Sequence, residues 1–595
     1  MDRKSLIILA GAVVLLLLLT PLVNHFFPPI PLTPEEIAAM NNTNASVQAT
    51  HLPMASGASN AVPAASPASG ASLAAPAAPE QTLYLTNDDL VLQFTSRGGG
   101  LKTAALRNYP AVLKLSGSTP AGSNLAVLNA QAPAPVLALL DNEAQGDNEF
   151  HLTRNGNTVT AEKTLPDGLR IIKQFEISTN YLFTGRLRFE NATSQPLKIP
   201  AREVVAGTAT PIGPLDDPTA LGTFWFNGIK AQNIKSPWFA NHYLSCAVLP
   251  SSPRTIYQEG ASNVVWAAVH NQFFTFAAMP SNPAPQVVIR PVPISPPEMF
   301  GVSNATTAYL TNGFEATFAY PAAVLPPGKS IDTDFTFYAG PKEYKRLSTI
   351  GLRMNNNLDL IMDFSPPWGF FSKLLLLSMN GLNAIGLPYG WTIIAITIII
   401  KGIFWPLTRA STRSQKRLQA LQPQIKAISD KYADDPVKKN QKTMEFMKEH
   451  KVSPLGSCLP VLFQIPVFAG FYYMLRNAIE LRGVHFLWAR DLSQPDTIFH
   501  LGGFPINPLP LIMGATQLWQ AHILPPSPGM EEGQQKMMRY MPLLFVAMFY
   551  KMSAGLTLYW TVSNLLGILQ TKMTRMADQA EARAKPPVAP QKKKV

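Results

Sequence analysis

The stretch from Tyr389 to Leu407 reads YGWTIIAITIIIKGIFWPL, and it decides the class of fold. Lys401 is its only charged residue. Its length is close to the ~20 apolar residues that a helix needs to cross a bilayer. Trp391 and Trp405 lie near its two ends, where aromatic side chains favour the membrane interface. The stretch therefore predicts a membrane-spanning helix.

Other apolar runs extend this prediction to a membrane α-helical bundle of six transmembrane helices. They cover residues 6–23, 458–475, 506–523, 540–550 and 554–571. The run 540–550 is short for a hydrocarbon core of ~30 Å, so it would tilt little or lie where the bilayer thins.

The first run raises an alternative, because a cleaved signal peptide also begins with basic residues and an apolar segment. The residues that follow, NHFFPPIPL, contain no small-x-small cleavage site. This favours an uncleaved N-terminal transmembrane anchor over residues 1–27, with its N-terminus inside because of Arg3 and Lys4. Residues 28–79 are rich in Ala, Pro and Ser and predict a flexible linker.

Composition supports a protein that is part membrane and part soluble. The chain has 595 residues, 47% of them apolar and 14% charged, whereas soluble proteins carry about 25% charged residues. That length calls for at least two domains. With only two cysteines, Cys246 and Cys458, a disulfide-rich scaffold is excluded.

Residues 80–345 have the pattern of an all-β sandwich domain. Short segments with period-2 alternation, such as Leu169–Ile177 and Leu182–Phe189, are separated by turn residues. Those turns are Asn155-Gly156, Pro166-Asp167-Gly168, Asn312-Gly313 and Pro327-Gly328. Residues 346–388 are predicted to form an amphipathic or interfacial helical region.

The core, residues 389–575, includes a polar, basic helical hairpin at 408–452 with a kink near Pro423, and a basic tail at 576–595 follows. The net charge is +12, of which residues 406–457 hold 11 basic against 5 acidic residues. The tail from 572 holds 7 against 2. Six crossings that start inside place both basic segments inside, as the positive-inside rule requires, and the nearly neutral β domain outside. Charge confined in this way argues against nucleic-acid binding.

Lys401 is the first candidate for function, because a lysine near the centre of a span costs about 2.5–3.5 kcal/mol. Two interpretations remain open for it: the side chain snorkels to the inner interface, or it faces a hydrated cavity inside the bundle. Polar residues in the same and other spans would line such a cavity if they converge. They are Thr397, Gln464, Thr516, Gln517, Thr561, Ser563 and Asn564. Each of them alone could instead satisfy helix backbone or pack locally.

No catalytic constellation is recognisable. The nine histidines are scattered, and the sequence has no HExxH, G-x-S-x-G or Walker A motif. We therefore predict that the chain is not an enzyme and needs neither cofactor nor metal.

Three segments carry a resemblance to a known family: IIIKGIFWPLTRASTRSQKRLQALQPQIKAI from residue 398, KVSPLGSCLPVLFQIPVFAGFYYML from 451 and GLTLYWTVSNLLGILQ from 555. They resemble the YidC membrane protein insertases and their mitochondrial oxidase-assembly and chloroplast Albino relatives. The anchor, linker and β domain resemble the N-terminal extension of Gram-negative members, with residues 84–109 fitting its opening strands.

The resemblance implies five core spans around a hydrophilic groove that is open to the cytoplasm and laterally to lipid. By position it assigns Lys401, Thr397, Tyr559 and Trp560 to the groove. The family's central cation is commonly arginine, and tyrosine is common where Trp560 stands. Because Lys cannot reproduce the bidentate hydrogen bonds of Arg, such a contact is in doubt here. With the polar residues above, the predicted groove set is Lys401, Thr397, Gln464, Thr516, Tyr559, Trp560, Ser563 and Asn564.

The function implied is a multi-pass inner-membrane insertase that moves short polar segments of nascent membrane proteins across the membrane and releases apolar helices into lipid, alone or with the Sec translocon. The ribosome and membrane lipids are further expected partners. Two rivals are a polytopic small-molecule transporter and a membrane-anchored periplasmic binding protein. A transporter predicts inverted repeats or intramembrane acids, and neither is apparent. A binding protein would use the later spans only as anchors, which their polar content argues against.

Overall fold

A computed structural model of the chain describes residues 79–111, 125–140, 147–213, 216–239, 254–294, 312–364, 368–432, 435–450, 455–523 and 532–584. The predicted anchor at 1–27, the linker up to residue 78, the tail beyond residue 584 and Cys246 lie outside these residues. The chain divides into two compact units. One contains the β domain up to residue 377 together with residues 469–494, and the other contains residues 378–468 with the chain from residue 495 onward.

The first unit is built from antiparallel strands, as the period-2 alternation predicts. Their bounds are β1 Thr82–Thr86, β2 Leu90–Thr95, β3 Gly100–Pro110, β4 Leu125–Leu128, β5 His151–Asn155, β6 Thr158–Thr164, β7 Leu169–Ile177, β8 Leu182–Asn191, β9 Leu197–Ile199, β10 Arg202–Ala209, β11 Gly222–Phe226, β12 Ala231–Lys235, β13 Tyr257–Glu259, β14 Trp266–His270, β15 Phe274–Pro280, β16 Gln286–Pro293, β17 Asn312–Tyr320, β18 Ala323–Leu325 and β19 Ser330–Pro341.

A nine-stranded sheet forms the centre of this unit, with the order β12-β11-β14-β15-β19-β8-β7-β6-β5. Two four-stranded sheets, β1-β2-β3-β4 and β10-β17-β16-β13, and the pair β18-β9 complete it. Strand β10 packs against β14 and β15, and β17 packs against β11 and β14. Two sheets therefore share one core.

Alternation along β7 and β8 determines which side chains enter that core. Phe175, Phe183 and Phe337 point inward and are buried, and the rings of Phe183 and Phe337 stack with centroids 4.9 Å apart. On the opposite face Arg186 donates to Asp334. One inward position carries a lysine instead, Lys173, which is completely buried.

The turn predictions are confirmed at three places and wrong at a fourth. Gly328 adopts a φ of +63° between β18 and β19. Gly156 and Gly168 both adopt positive φ between paired strands. Asn312 and Gly313 instead open β17, where Gly313 pairs with Val292. A Cβ on Gly313 would lie 2.7 Å from the carbonyl oxygen of Ala209. This glycine therefore permits close packing of strands rather than a turn.

Helices form the rest of the described chain. Their bounds are α1 Ser236–Phe239, α2 Tyr344–Arg353, α3 Gly369–Ala384, α4 Tyr389–Ile403, α5 Trp405–Ala420, α6 Gln422–Lys431, α7 Pro436–Glu449, α8 Leu455–Asn477, α9 Pro508–Ile523, α10 Glu532–Phe549 and α11 Ala554–Ala584. A short hairpin, β20 Phe499–Leu501 with β21 Phe504–Ile506, precedes α9. Helix α11 packs against α4, α5 and α9.

The predicted span 389–407 is shorter and bent. Helix α4 ends at Ile403, and α5 begins at Trp405 at an angle of 56°. Pro406 lacks a backbone N–H and its ring crowds the preceding turn, which accounts for the break. By length and composition, this bent pair could cross a membrane, whereas no single helix in the described part of the chain could.

The basic hairpin has more internal packing than its polar sequence indicates. Leu418 and Ile425 are buried, with Leu421, Phe446 and Met447 against them. The break predicted at Pro423 is confirmed, because α6 begins one residue before this proline. Asp435 then caps α7 by accepting a hydrogen bond from the Lys438 backbone N–H at 3.0 Å.

Residues 469–494 belong to the same unit as the β domain, and polar contacts hold them there. Arg476 Nη2 donates to Asp217 at 2.6 Å, and Gln272 Nε2 donates to the Arg476 carbonyl at 2.9 Å. Arg482 Nη2 donates to the Pro110 carbonyl at 2.8 Å. The segment that follows the third predicted span is thus part of the β domain's hydrogen-bond network.

Candidate functional site

The helical unit buries polar side chains and exposes apolar ones. Its buried polar residues include Thr392, Thr397, Thr516, Thr557, Thr561, Ser563, Asn564, Gln570, Thr571 and Thr574. Its exposed residues include Leu511, Ile512, Trp519, Leu543, Leu544, Leu565 and Leu569. A soluble protein has the reverse distribution. The polar positions of α11 and its neighbours are therefore the place to look for function.

Lys401, Gln464 and Tyr559 form a chain of hydrogen bonds that joins α4, α8 and α11. Lys401 Nζ donates to Gln464 Oε1 at 3.3 Å, and Gln464 Nε2 donates to the Tyr559 hydroxyl at 2.6 Å. Tyr559 is 1% exposed. The amide of Gln464 thus accepts from the cation and donates to the phenol, which fixes its orientation.

Gln570 holds the main chain of the same lysine, and the sequence analysis did not select it. Its Nε2 donates to the Lys401 carbonyl at 3.0 Å. Gln570 lies about three helical turns after Tyr559 and so occupies the same face of α11. That spacing is the signal that could have identified it.

A second polar pair joins α9 and α11. Asn564 Nδ2 donates to Thr516 Oγ1 at 3.3 Å, while the Thr516 hydroxyl donates to the Met513 carbonyl at 2.7 Å. A Cβ on Gly567 would come within 2.9 Å of Gln520 Nε2, so the two helices approach closely here. Both predicted residues of this pair are buried and in contact.

Thr397 and Ser563 are buried, and within the described part of the chain neither hydroxyl bonds to another side chain. The Thr397 hydroxyl donates to the Ile393 carbonyl one turn earlier, at 2.6 Å, which satisfies helix backbone. Ser563 is 8% exposed. For Thr397 the local interpretation explains the hydroxyl completely.

Trp560 lies in an aromatic cluster, apart from the hydrogen-bonded chain of its neighbour Tyr559. Its ring centroid is 4.6 Å from that of Phe468 and 5.1 Å from that of Phe549, with Phe545 at 5.7 Å. Successive residues of a helix point about 100° apart. The predicted aromatic pair therefore divides between a polar and an apolar environment.

The arrangement offers hydrogen-bonding groups to a polypeptide. A primary ammonium, an amide and a phenol offer donors for carboxylates and peptide carbonyls. Among the residues that the structure describes, no group of three His, Cys, Asp or Glu side chains is placed to hold a metal ion.

The β domain buries several charged residues, and Lys173 is buried completely. Lys173 Nζ donates to the Gly98 carbonyl at 2.6 Å and lies 4.4 Å from the centroid of the Phe150 ring. Burial and, to a smaller extent, the nearby ammonium of Lys163 lower the pKa of Lys173 to about 7. Among the described residues no carboxylate pairs with Lys173, so burial of its ammonium reduces the stability of the fold.

Two family models match the chain in succession. The model for the YidC periplasmic domain matches residues 82–377, and the model for the 60Kd inner membrane protein matches residues 381–581.

Individual relatives agree with these models. The membrane protein insertase YidC of Neisseria gonorrhoeae (strain NCCP11945) is 40% identical over 258 residues, 43% of this chain. That match spans only 45% of the relative's own length. The protein of the same name from Bordetella avium (strain 197N) is 29% identical over 511 residues, 83% of this chain and 82% of the relative.

Two solved structures are similar at low identity. A crystal structure of an active YidC insertase with its first transmembrane domain resolved is 15% identical, covers 83% of this chain and 92% of that chain, and gives a TM-score of 0.33. A galactose mutarotase related enzyme from Lactobacillus acidophilus is 10% identical, covers 44% and 97%, and gives a TM-score of 0.29. On the two family models and the named relatives, the chain belongs to the YidC membrane protein insertase family.

Proposed function

We propose that this chain is a membrane protein insertase. It moves short polar segments of nascent membrane proteins across the inner membrane and releases their apolar helices laterally into lipid. One observation carries the proposal: the chain Lys401–Gln464–Tyr559 lies within helices whose exposed side chains are apolar.

The physical task of an insertase is to lower the cost of taking polar groups out of water. Each unsatisfied peptide group costs several kcal/mol in hydrocarbon. A groove with an ammonium, an amide and a phenol replaces part of the lost hydration. The positive charge of Lys401 also attracts acidic residues of the segment that crosses, and this attraction is less screened than in bulk water.

Release of the apolar helix needs no energy source beyond the bilayer itself. Burial of apolar surface stabilises by about 25 cal/mol per Å², which favours a lateral exit from a groove open to lipid. The proposed mechanism therefore requires no cofactor and no covalent step. On this proposal the protein is not an enzyme.

The proposed topology has six spans with both termini in the cytoplasm. Residues 24–388, including the β domain as a periplasmic sandwich, lie outside, and residues 408–452 lie inside. The net charges of +6 over 406–457 and +5 over 572–595 support this orientation. The anchor of this topology, residues 6–23, is proposed from sequence alone.

The proposed partners follow from the exposed basic surface of the hairpin. Lys438, Lys439 and Lys448 of α7 are exposed or half-buried beside the small core of α6 and α7. Such a surface suits the nascent chain, the ribosome and the Sec translocon, and the basic tail suits ribosomal RNA. The contact with RNA would be electrostatic, without sequence specificity.

Site-specific photo-crosslinking tests the proposal. A photoreactive residue at position 401 should crosslink to a ribosome-stalled nascent membrane protein. The same residue at Leu544, which is 71% exposed on α10, serves as the matched control and should crosslink to lipid. Equal crosslinking of the nascent chain from both positions would contradict a groove at Lys401.

A further inference from the structure

The hairpin β20–β21 carries a wholly apolar face. Phe499 pairs with Ile506 and Leu501 pairs with Phe504. Opposed residues of an antiparallel pair, and alternate residues along each strand, share one face. Phe499, Leu501, Phe504 and Ile506 therefore project to the same side, and His500 projects to the other.

The tip of this hairpin is a tight turn that extends away from other residues. Gly502 and Gly503 have φ of +57° and +84°, as a two-residue turn matched to the strand twist requires. A Cβ on either glycine would meet nothing within 4 Å.

The base of the hairpin is fixed to the helical unit. The Tyr550 hydroxyl donates to the Pro505 carbonyl at 2.6 Å, and Asn507 Nδ2 donates to the Tyr550 carbonyl at 2.7 Å. Thr497 donates to Asn507 Oδ1 at 2.7 Å. These bonds tie the hairpin to the start of α9 and to the turn between α10 and α11.

The apolar face is exposed despite this anchoring. Phe499 is 53%, Leu501 69% and Phe504 56% exposed. Together they leave roughly 300 Å² of apolar surface uncovered. A stable protein interface buries about 800 Å² on each partner, so a second copy or another protein would find too little area here. A lipid surface needs neither that area nor a complementary shape.

Continuity with the apolar outside of the helical unit also points to lipid. Residues 497–523 contain no Asp, Glu, Lys or Arg. The exposed apolar surface continues from the hairpin onto α9 at Leu511, Ile512 and Trp519. Aromatic and aliphatic side chains without charge suit the boundary between headgroups and acyl chains.

We propose that the hairpin 498–506 inserts its apolar face into that boundary in the outer leaflet and so fixes the depth of α9 and of the α10–α11 turn. This inference rests on the proposed membrane topology. Its ligand class is the phospholipid bilayer surface, held through acyl-chain contacts rather than headgroup charge.

Fluorescence quenching in the full-length protein tests the inference. In a variant with Cys246→Ser and Cys458→Ser, an environment-sensitive label is attached at Leu501→Cys, at His500→Cys or at Leu544→Cys. The protein is placed in phosphatidylethanolamine–phosphatidylglycerol nanodiscs that contain a lipid with a nitroxide near the top of its acyl chain. The label at 501 should be quenched roughly threefold more strongly than the label at 500.

Three other outcomes overturn the inference. If the label at 544 is quenched while the label at 501 is not quenched and emits as it does in water, hairpin insertion is rejected and the topology stands. A label at 501 that is shielded from water yet not quenched by the lipid would show that protein covers the face. Absence of quenching at both 501 and 544 would reject the topology as well.

Discussion

In the β domain, Phe175 and Phe337 lie inside the sheets while Arg186 and Asp334 pair on the outside. In the helical unit, Thr516 and Asn564 bond inside while Leu544 is 71% exposed. The two regions come from one chain and obey the same rule, that side chains face the medium they resemble. The difference supports the proposal that water surrounds the first region and hydrocarbon the second.

Exceptions in each region sharpen this comparison. The β domain tolerates buried cations, among them Lys173, which interacts with a carbonyl and a ring. The helical unit also holds a cation, Lys401, which donates a hydrogen bond to the side chain of Gln464. We infer that the first lysine serves the fold and the second serves a substrate. The predictions below separate the two roles.

The largest effect is expected at Lys401. Lys401→Glu should slow insertion of substrates with acidic outside segments by at least about tenfold, which corresponds to about 1.4 kcal/mol in the barrier. The reason is reversal of the charge that meets those acids. Insertion is measured as protease protection of a radiolabelled substrate in proteoliposomes.

The matched control for this variant is Lys401→Arg, which keeps the charge and should retain most activity. A substrate without acidic residues in its outside segment should be inserted by Lys401→Glu almost normally. Wild-type rates for Lys401→Glu with the acidic substrate would mean that the lysine merely snorkels.

A smaller effect is expected from the neutral partners of Lys401. Tyr559→Phe removes the acceptor of the Gln464 amide, and a net hydrogen bond contributes about 1 kcal/mol. We therefore expect a loss of severalfold in insertion rate, similar for acidic and neutral substrates. Trp560→Phe, in the aromatic cluster, is the control and should change the rate less. If Trp560→Phe were the more damaging substitution, the aromatic cluster would be the substrate contact.

In the β domain we expect a change of stability without a change of insertion. Because the native pKa of Lys173 is about 7, the unfolded chain binds more protons between pH 7 and pH 10, and stability rises with pH in that window. Lys173 should contribute on the order of 3 kcal/mol to this rise, so Lys173→Met should reduce it by that amount. Lys342, whose pKa burial also lowers to about 7, should supply the remainder. Urea denaturation of the detergent-solubilised protein measures the rise.

The exposed Lys198 supplies the control for that measurement. Lys198→Met should keep the rise in unfolding free energy, and both variants should insert substrates at the wild-type rate. A rise of unchanged size in Lys173→Met would show that Lys173 does not contribute to it.

The smallest effect is expected from removing most of the β domain. Deletion of about residues 90–320 should still support growth of a strain depleted of its own insertase, because Lys401, Gln464 and Tyr559 lie outside the deletion. The deletion removes Asp217 and with it the ion pair of Arg476, so a lower melting temperature is expected. Failure to grow at normal membrane levels of the variant would give the domain a part in insertion.

Local patterns in the sequence predict local structure well. The strand β7 covers the predicted segment Leu169–Ile177, and the predicted fourth span at 506–523 corresponds to α9. Sheet order could not be predicted, because β8 pairs with β19 across more than a hundred residues and no local pattern encodes that partner. The pair Asn312-Gly313 shows the same limit, because a glycine can permit either a turn or the close approach of two strands.

The residue types of the candidate site could be predicted from the sequence, but the hydrogen bonds between them could not. Polar residues in apolar runs identified Lys401, Gln464 and Asn564, because burying a polar group is costly wherever it lies. Which polar side chains meet depends on how α4, α8 and α11 pack, and one sequence does not reveal this. Gln570 was missed because it stands at the end of its apolar run, where a polar residue is unremarkable.

Helix α11 has 31 residues without a break, which gives a rod about 46 Å long. On the proposed topology, a hydrocarbon core of ~30 Å leaves about a third of that rod in the cytoplasm. Torque applied to that end would turn the part that carries Tyr559 and Asn564, because no flexible joint separates them. Inserting two glycines after Lys572 would introduce such a joint and is the direct check. A partner that binds the cytoplasmic end would then no longer move Tyr559 and Asn564 with it.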